Sequence, residues 1–275
     1  MKSTKKTKIV ATIGPATSSK KMLKGIIEAG VNVCRINFSH GSHEDHFKVI
    51  QRVSEINKEH GYHTAILADL QGPKIRIGEI ENGSVEITAG AEITFTTEKI
   101  IGNASKVYIN YNDFPRDVKV GERILVDDGK LAMNIVSTNG KDQAVAKIVN
   151  SGTLSSKKGV NLPNTKVSLP SLTEKDKIDL DFALENNVEW IGLSFVRNAR
   201  DIIELKHIIE SKGKTSRVIA KIEKPEAVSD IEDIIAKTDG IMVARGDLGV
   251  EIPMEEVPLV QKDIVKRWLV AAKPV

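Results

Sequence analysis

Strand-length apolar runs recur along this chain with room for one helix between them, and that spacing constrains the fold more than any other feature. The runs are Thr7 to Ile13, Val31 to Phe38, Thr64 to Asp69, Val188 to Phe195, Arg217 to Glu223 and Ile241 to Asp247. Amphipathic stretches such as Lys20 to Ala29 and Ala199 to Ser211 separate most neighbours. The unit is strand, helix, strand, at the roughly 31 residues expected when eight units share about 250 residues. The pattern predicts an α/β fold, a TIM-type (β/α) barrel that is incomplete, with six of its eight units.

One interval breaks the rhythm. Between Asp69 and Val188 the gap is far too long for a single helix, and its residues have another character. Asn82-Gly83, Asp128-Gly129 and Asn139-Gly140 each lie between alternating or β-branched segments, the chemistry of type I′ hairpin turns. An all-β barrel domain inserted after the third strand is expected, bounded near Gly72-Pro73 and Pro170. The organisation predicted is therefore 1–73 as the first part of the barrel, 74–170 as the insert and 171–275 as the second part. Thr173-Glu174-Lys175-Asp176 has the form of a capping box and opens the next helix, as Ser42-His43-Glu44-Asp45 does after the second strand.

Composition excludes several classes. No apolar run approaches the about 18 residues of a membrane span. The basic start, Met1 to Lys8, leads into an apolar run that stops at Ile13-Gly14-Pro15, too short for a signal-peptide core, and reads as a solvated tail. Cys34 is the single cysteine, so no internal disulfide forms and a reducing, cytoplasmic setting is expected. A net charge of +3 and 4% aromatics argue against a nucleic-acid binder.

In a β/α barrel the carboxyl ends of the strands build the active site. After the second strand come Arg35, Asn37, Ser39 and His40, the first three on one face by the two-residue period. After the third come Asp69, Lys74 and Arg76. The fifth ends in Lys221-Ile222-Glu223 and the sixth in Arg245-Gly246-Asp247. Each has a plainer reading: Lys221 and Glu223 as a salt bridge filling the barrel mouth, Asp247 as a helix cap, Arg35 as a surface arginine. A lysine, two acids and an arginine at neighbouring strand ends nonetheless form the set that phosphoryl chemistry uses, metal ligands beside phosphate binders. His40, His43 and His46 invite a zinc reading. Ser42 as a cap with Glu44 and Asp45 in the first turn argues against it, leaving His43 and His46 as surface residues and His40 on the rim.

The strings KIVATIGPAT, NVCRINFSHGSHEDH, LADLQGPKIR, SSKKGVNLP, AKIEKPEAV and MVARGDLGVEIP resemble the pyruvate kinase family in order and spacing, from Thr7 to Val275. The resemblance implies transfer of the phosphoryl group of phosphoenolpyruvate to ADP, giving pyruvate and ATP in glycolysis. It implies Glu223 and Asp247 as Mg²⁺ ligands, with a second Mg²⁺ arriving with the nucleotide. Lys221 would neutralise the transferring group, Arg35 would hold the substrate phosphate, and Gly246 and Asp247 would lie against the substrate. Asn37, Phe38, Ser39, His40, Arg76 and Lys158 match nucleotide-contacting positions, and the insert would close as a lid.

Two departures from the family pattern carry expectations. Many members need K⁺ and have Thr-Lys-Gly-Pro-Glu-Ile-Arg-Thr where this chain has Leu70 to Ile77. Asn37, Ser39, Asp69 and Leu70 match the family's K⁺ positions, and Lys74 is expected to supply that charge instead, so K⁺ is not required. The family also has two further barrel units and a carboxyl-terminal domain, and assembles as a homo-oligomer, by resemblance a tetramer. This chain, lacking them, is expected to be a fragment, poorly soluble or inactive alone. Two other readings stay open: a different Mg²⁺-dependent barrel enzyme using phosphoenolpyruvate, and a non-catalytic binding module.

Overall fold

The computed structural model describes residues 6–275. The first five residues of the basic start lie outside the described residues; Lys6 to Lys8 are exposed. The chain opens with β1 (Val10–Thr12), α1 (Lys20–Glu28), β2 (Val33–Asn37), α2 (His43–His60) and β3 (Ala65–Asp69). It returns to this pattern with α4 (Glu174–Glu185), β12 (Trp190–Leu193), α5 (Ala199–Ser211), β13 (Arg217–Ile222), α6 (Pro225–Ser229), α7 (Ile231–Lys237), β14 (Gly240–Val243), α8 (Arg245–Glu251) and α9 (Val257–Val270). These strands form one parallel sheet in the order β1-β2-β3-β12-β13-β14. The sheet is the incomplete barrel, with β1 and β14 as its edges. Ile241 N–H donates to the Pro274 carbonyl at 3.2 Å, so the chain end lies along the β14 edge.

Local chemistry fixes the helix starts. The Ser42 hydroxyl accepts from Asp45 N–H, and α2 ends at Gly61 in the left-handed region, φ 68°. Thr173 and Asp176 form a full capping box, worth about 1 kcal/mol. Asp176 also accepts from Gly72 N–H at 3.0 Å, so the start of α4 anchors the segment leaving β3. Helices and sheet enclose a core that includes Ile36, Ile66, Ile191, Val218 and Ile241. The last helix, α9, buries Ile264 and Trp268 against this core.

Between β3 and α4 lies the insert. It comprises β4 (Ser84–Ile87), β5 (Glu92–Thr96), β6 (Lys106–Tyr108), α3 (Phe114–Asp117), β7 (Arg123–Val126), β8 (Leu131–Thr138), β9 (Gln143–Ile148), β10 (Gly152–Ser155) and β11 (Val160–Asn161). Six strands run in the order β11-β7-β8-β9-β5-β6, and β10 pairs with β4. Its separate apolar core includes Ile77, Phe95, Ile109, Phe114, Ile124, Met133 and Ile148. Of the three expected type I′ hairpin turns, one closes a hairpin in that form, between β7 and β8: Asp128 and Gly129 both have positive φ, and Lys130 N–H closes on the Asp127 carbonyl at 3.2 Å. Asn139 instead accepts three N–H groups, from Lys141, Asp142 and Gln143, which widens the β8–β9 loop. Asn82 and Gly83 also take positive φ, 55° and 82°, but they lead into β4, whose partner β10 lies far along the chain, so they close no hairpin.

Candidate functional site

The carboxyl ends of β2, β3, β12 and β13 converge on Asp69. Register places Asn37 of β2 on one side of it and Gly192 of β12 on the other. A Cβ at Gly192 would stand 3.1 Å from Asp69 Oδ1, so the strand carries no side chain there and the carboxylate fits against it. Arg35 Nε donates to Asp69 Oδ2 at 2.7 Å and Arg35 Nη1 to Thr12 Oγ1 at 2.7 Å. Lys221 Nζ lies 3.1 Å from Asp69 Oδ1 and 3.0 Å from Glu223 Oε1. It also donates to Ser194 Oγ at 2.7 Å, and that hydroxyl donates to the Leu70 carbonyl at 2.7 Å. Glu223 Oε2 accepts from Phe195 N–H at 3.0 Å. Asp69 and Glu223 side chains are each 2% exposed and Lys221 12%. The Lys221–Glu223 contact is thus the salt bridge of the plainer reading, and it sits among the other strand-end charges.

Burial works to lower the Lys221 pKa, but the charges of Glu223 and Asp69 outweigh it and hold the ammonium above its ordinary range. Burial pushes the Glu223 carboxyl up; Lys221 opposes this, and the nearby Asp247 charge adds to it. Two carboxylates close enough to feel each other, one with its oxygens aligned by Lys221 and Phe195 and the other exposed at the start of α8, are a donor set suited to a hard divalent cation. Beside Asp247, Gly246 borders open space.

The loop after β2 is ordered by its own residues: Ser39 N–H donates to Asn37 Oδ1 at 3.0 Å, and His40 N–H to the Asn37 carbonyl at 3.3 Å. His40 is exposed. The expectation for Phe38 needs correcting, because its ring is buried at 2% exposure and its carbonyl accepts from Lys175 Nζ at 2.7 Å. Its apolar ring belongs to the core and presents no face to a nucleotide. His46 is likewise not a surface residue: it is 8% exposed, its ring centroid lies 4.5 Å from that of Phe38, and it presses on Gly41. His43 is half-buried, with Nε2 2.7 Å from Asp179 Oδ1 and its ring stacked on Phe182 at 4.3 Å. The residues that sequence reasoning missed are Thr12, Pro15 and Arg52, which line a cleft with Asn37 and His40, and Ser194. The available signal for Ser194 was period two: it lies two residues beyond Gly192.

Arg76 and Lys158 sit together on the insert, since Arg76 bridges to Gly159 while its Nη1 donates to the Lys157 carbonyl at 3.0 Å. Lys158 pairs with Asp127 at 2.8 Å, and among the described residues neither makes an ion pair with the barrel. Lys74 is not brought to Asp69. Its stem packs toward Gly159 in the cleft between insert and barrel, and the cations matched to Asp69 are Arg35 and Lys221. Leu70 is buried, and its carbonyl already receives the Ser194 hydroxyl.

The family model for the pyruvate kinase barrel domain matches residues 4–275. The chain belongs to the pyruvate kinase family. Pyruvate kinases of Bacillus licheniformis and Geobacillus stearothermophilus are 45% and 43% identical to it over 273 residues, which is 98% of this chain but 47% and 46% of theirs. The chain therefore spans about half the length of these curated relatives. The crystal structure of a pyruvate kinase from Cryptosporidium parvum matches it with a TM-score of 0.92 at 40% identity, over 98% of this chain and 56% of that one.

Proposed function

We propose that this rim serves pyruvate kinase chemistry: phosphoryl transfer from phosphoenolpyruvate to ADP, giving pyruvate and ATP in glycolysis. The observation that carries the reading is Lys221, an ammonium only 12% exposed and within 3.1 Å of both Asp69 and Glu223, with Arg35 on the other oxygen of Asp69. Arg35 and Lys221 are held at a fixed separation by the carboxylate between them, so two positive charges face a substrate phosphate without rearrangement. Lys221 stays charged and neutralises the phosphoryl group and the enolate oxygen as the bond to phosphorus breaks. Glu223 and Asp247 would hold Mg²⁺, which supplies a fixed charge to the substrate's oxygens; a second would come with ADP. Asn37, Ser39 and His40 border the cleft for the nucleotide, and Arg76 and Lys158 would reach it from the insert as a lid.

K⁺ is not required in this reading, because Asp69 is already matched by the two cations Arg35 and Lys221. The test is pyruvate formation from phosphoenolpyruvate and ADP with Mg²⁺ and with tetramethylammonium as the sole monovalent cation, beside calorimetric titration of phosphoenolpyruvate. Lys221→Met is expected to lower the rate by ~10²–10³-fold. Failure to bind phosphoenolpyruvate with Mg²⁺ present would sink the proposal. Binding without turnover would favour the second reading, a binding module.

A further inference from the structure

Where the insert meets the barrel, three polar side chains from three elements share one oxygen. Glu251 closes α8, Lys224 follows β13 directly after Glu223, and Asn161 belongs to β11 of the insert. Asn161 Nδ2 donates to Glu251 Oε1 at 2.7 Å, and Lys224 Nζ reaches the same oxygen at 2.7 Å. The Glu251 side chain is 1% exposed and that of Lys224 is 12% exposed. Glu251 Oε2 is buried with no hydrogen-bond partner among the described residues. Beside the cluster the contact is apolar and slight: a Cβ at Gly129 would stand 3.7 Å from Val250 Cγ1.

We infer that Glu251 is a positioning residue, a latch that joins closure of the insert to the placement of the two carboxylates on the rim. The inference rests on the rim being the site proposed above. Two links make the connection. Asp247 lies one helical turn before Glu251 on α8, on the same face, and Lys224 is covalently next to Glu223. A hydrogen bond from Asn161 to Glu251 therefore holds the insert against the helix that carries Asp247, and Lys224 ties that helix to the strand end that carries Glu223. With Oε2 making no hydrogen bond to a described protein group, the carboxylate regains hydration when the insert swings away. Such a contact can break and re-form, as a lid over a site requires.

The test is a distance measurement between spin labels at Lys141→Cys on the insert and Glu210→Cys on α5, both exposed, with Cys34 buried and out of reach. Asn161→Leu keeps the side-chain size and removes the donor. It is expected to lengthen and broaden the label separation by more than about 2 Å, the scale of domain rearrangement rather than side-chain adjustment. Glu251→Ala should do the same. Glu251→Gln keeps an oxygen that accepts from Asn161 and should retain the closed distance. A role confined to the stability of α8 would leave Asn161→Leu at the wild-type distance. That result, or a Glu251→Gln protein as open as Glu251→Ala, would overturn the inference. Phosphoenolpyruvate titration with Mg²⁺, run alongside, separates the two readings. If the wild-type chain does not bind, the function proposed for the rim fails, while the distances still decide whether the latch exists.

Discussion

Lys221 holds two buried acids at once, and its removal would leave Asp69 and Glu223 facing each other in a poorly solvated site. Breaking a buried ion pair from one side costs far more than the pair contributes in net stability. Lys221→Met is therefore expected to destabilise the fold by about 3–5 kcal/mol at neutral pH. Urea denaturation measures this, and Lys221→Met combined with Glu223→Gln should recover much of the loss; a single variant within about 1 kcal/mol of wild type would contradict the geometry. Part of this site was readable from the sequence. Lys221 and Glu223 share a face by the period of a strand, and Arg35 sits at the end of an apolar run. The role of Asp69 was not readable, because its two cations come from β2 and β13 and only the closed sheet brings them to one carboxylate. Phe38 misled for a related reason: a residue in a rim loop can still turn its ring inward, and the sequence does not show where Lys175 and His46 meet it.

A comparable polar strap secures the insert. Asp117, at the end of α3, accepts the Tyr111 hydroxyl, the Ser168 N–H at 2.7 Å and the Ser168 hydroxyl at 3.0 Å. Burial works to raise the Asp117 pKa, but these hydrogen bonds outweigh it and hold the carboxyl below its ordinary 3.8. A depressed carboxyl contributes stability above its unfolded value and loses it as pH falls through the folded one. Asp117→Asn should thus cost about 2 kcal/mol at pH 7, and the difference from wild type should shrink only below about pH 4. Denaturation midpoints from pH 7 down to pH 3 check this; a gap that closes by pH 6 would assign the bonding elsewhere. Among whole elements, helix starts such as the Thr173 capping box and the Ser42 cap were legible because their signals are local. α5 has the expected limits, Ala199 to Ser211. The hairpins were less so, since Asn-Gly and Asp-Gly report a turn and not which strands it joins. Asn82-Gly83 leads into a strand whose partner lies beyond six intervening elements.

The described residues form two apolar cores, one under the parallel sheet and one inside the insert. Segment 74–170, produced alone, is expected to fold with a single cooperative transition, because the described core residues of the insert run from Ile75 to Leu162 with Val167 and Leu169 packed beside them. Circular dichroism on heating tests it, and a non-cooperative melt would place the boundary elsewhere. The sheet, by contrast, depends on distant pairings: Ile66 N–H donates to Glu189 Oε2 across 123 residues. The insert's own ends meet, with Val160 N–H on the Ile75 carbonyl at 2.9 Å and Arg76 bridged to Gly159. Once those backbones are zipped, β3 and the start of α4 emerge side by side from a clasp instead of from a hundred-residue random tether. The entropy of closing that tether is then met by the insert's own fold, and the strand pairing that assembles the rim closes a shorter effective loop.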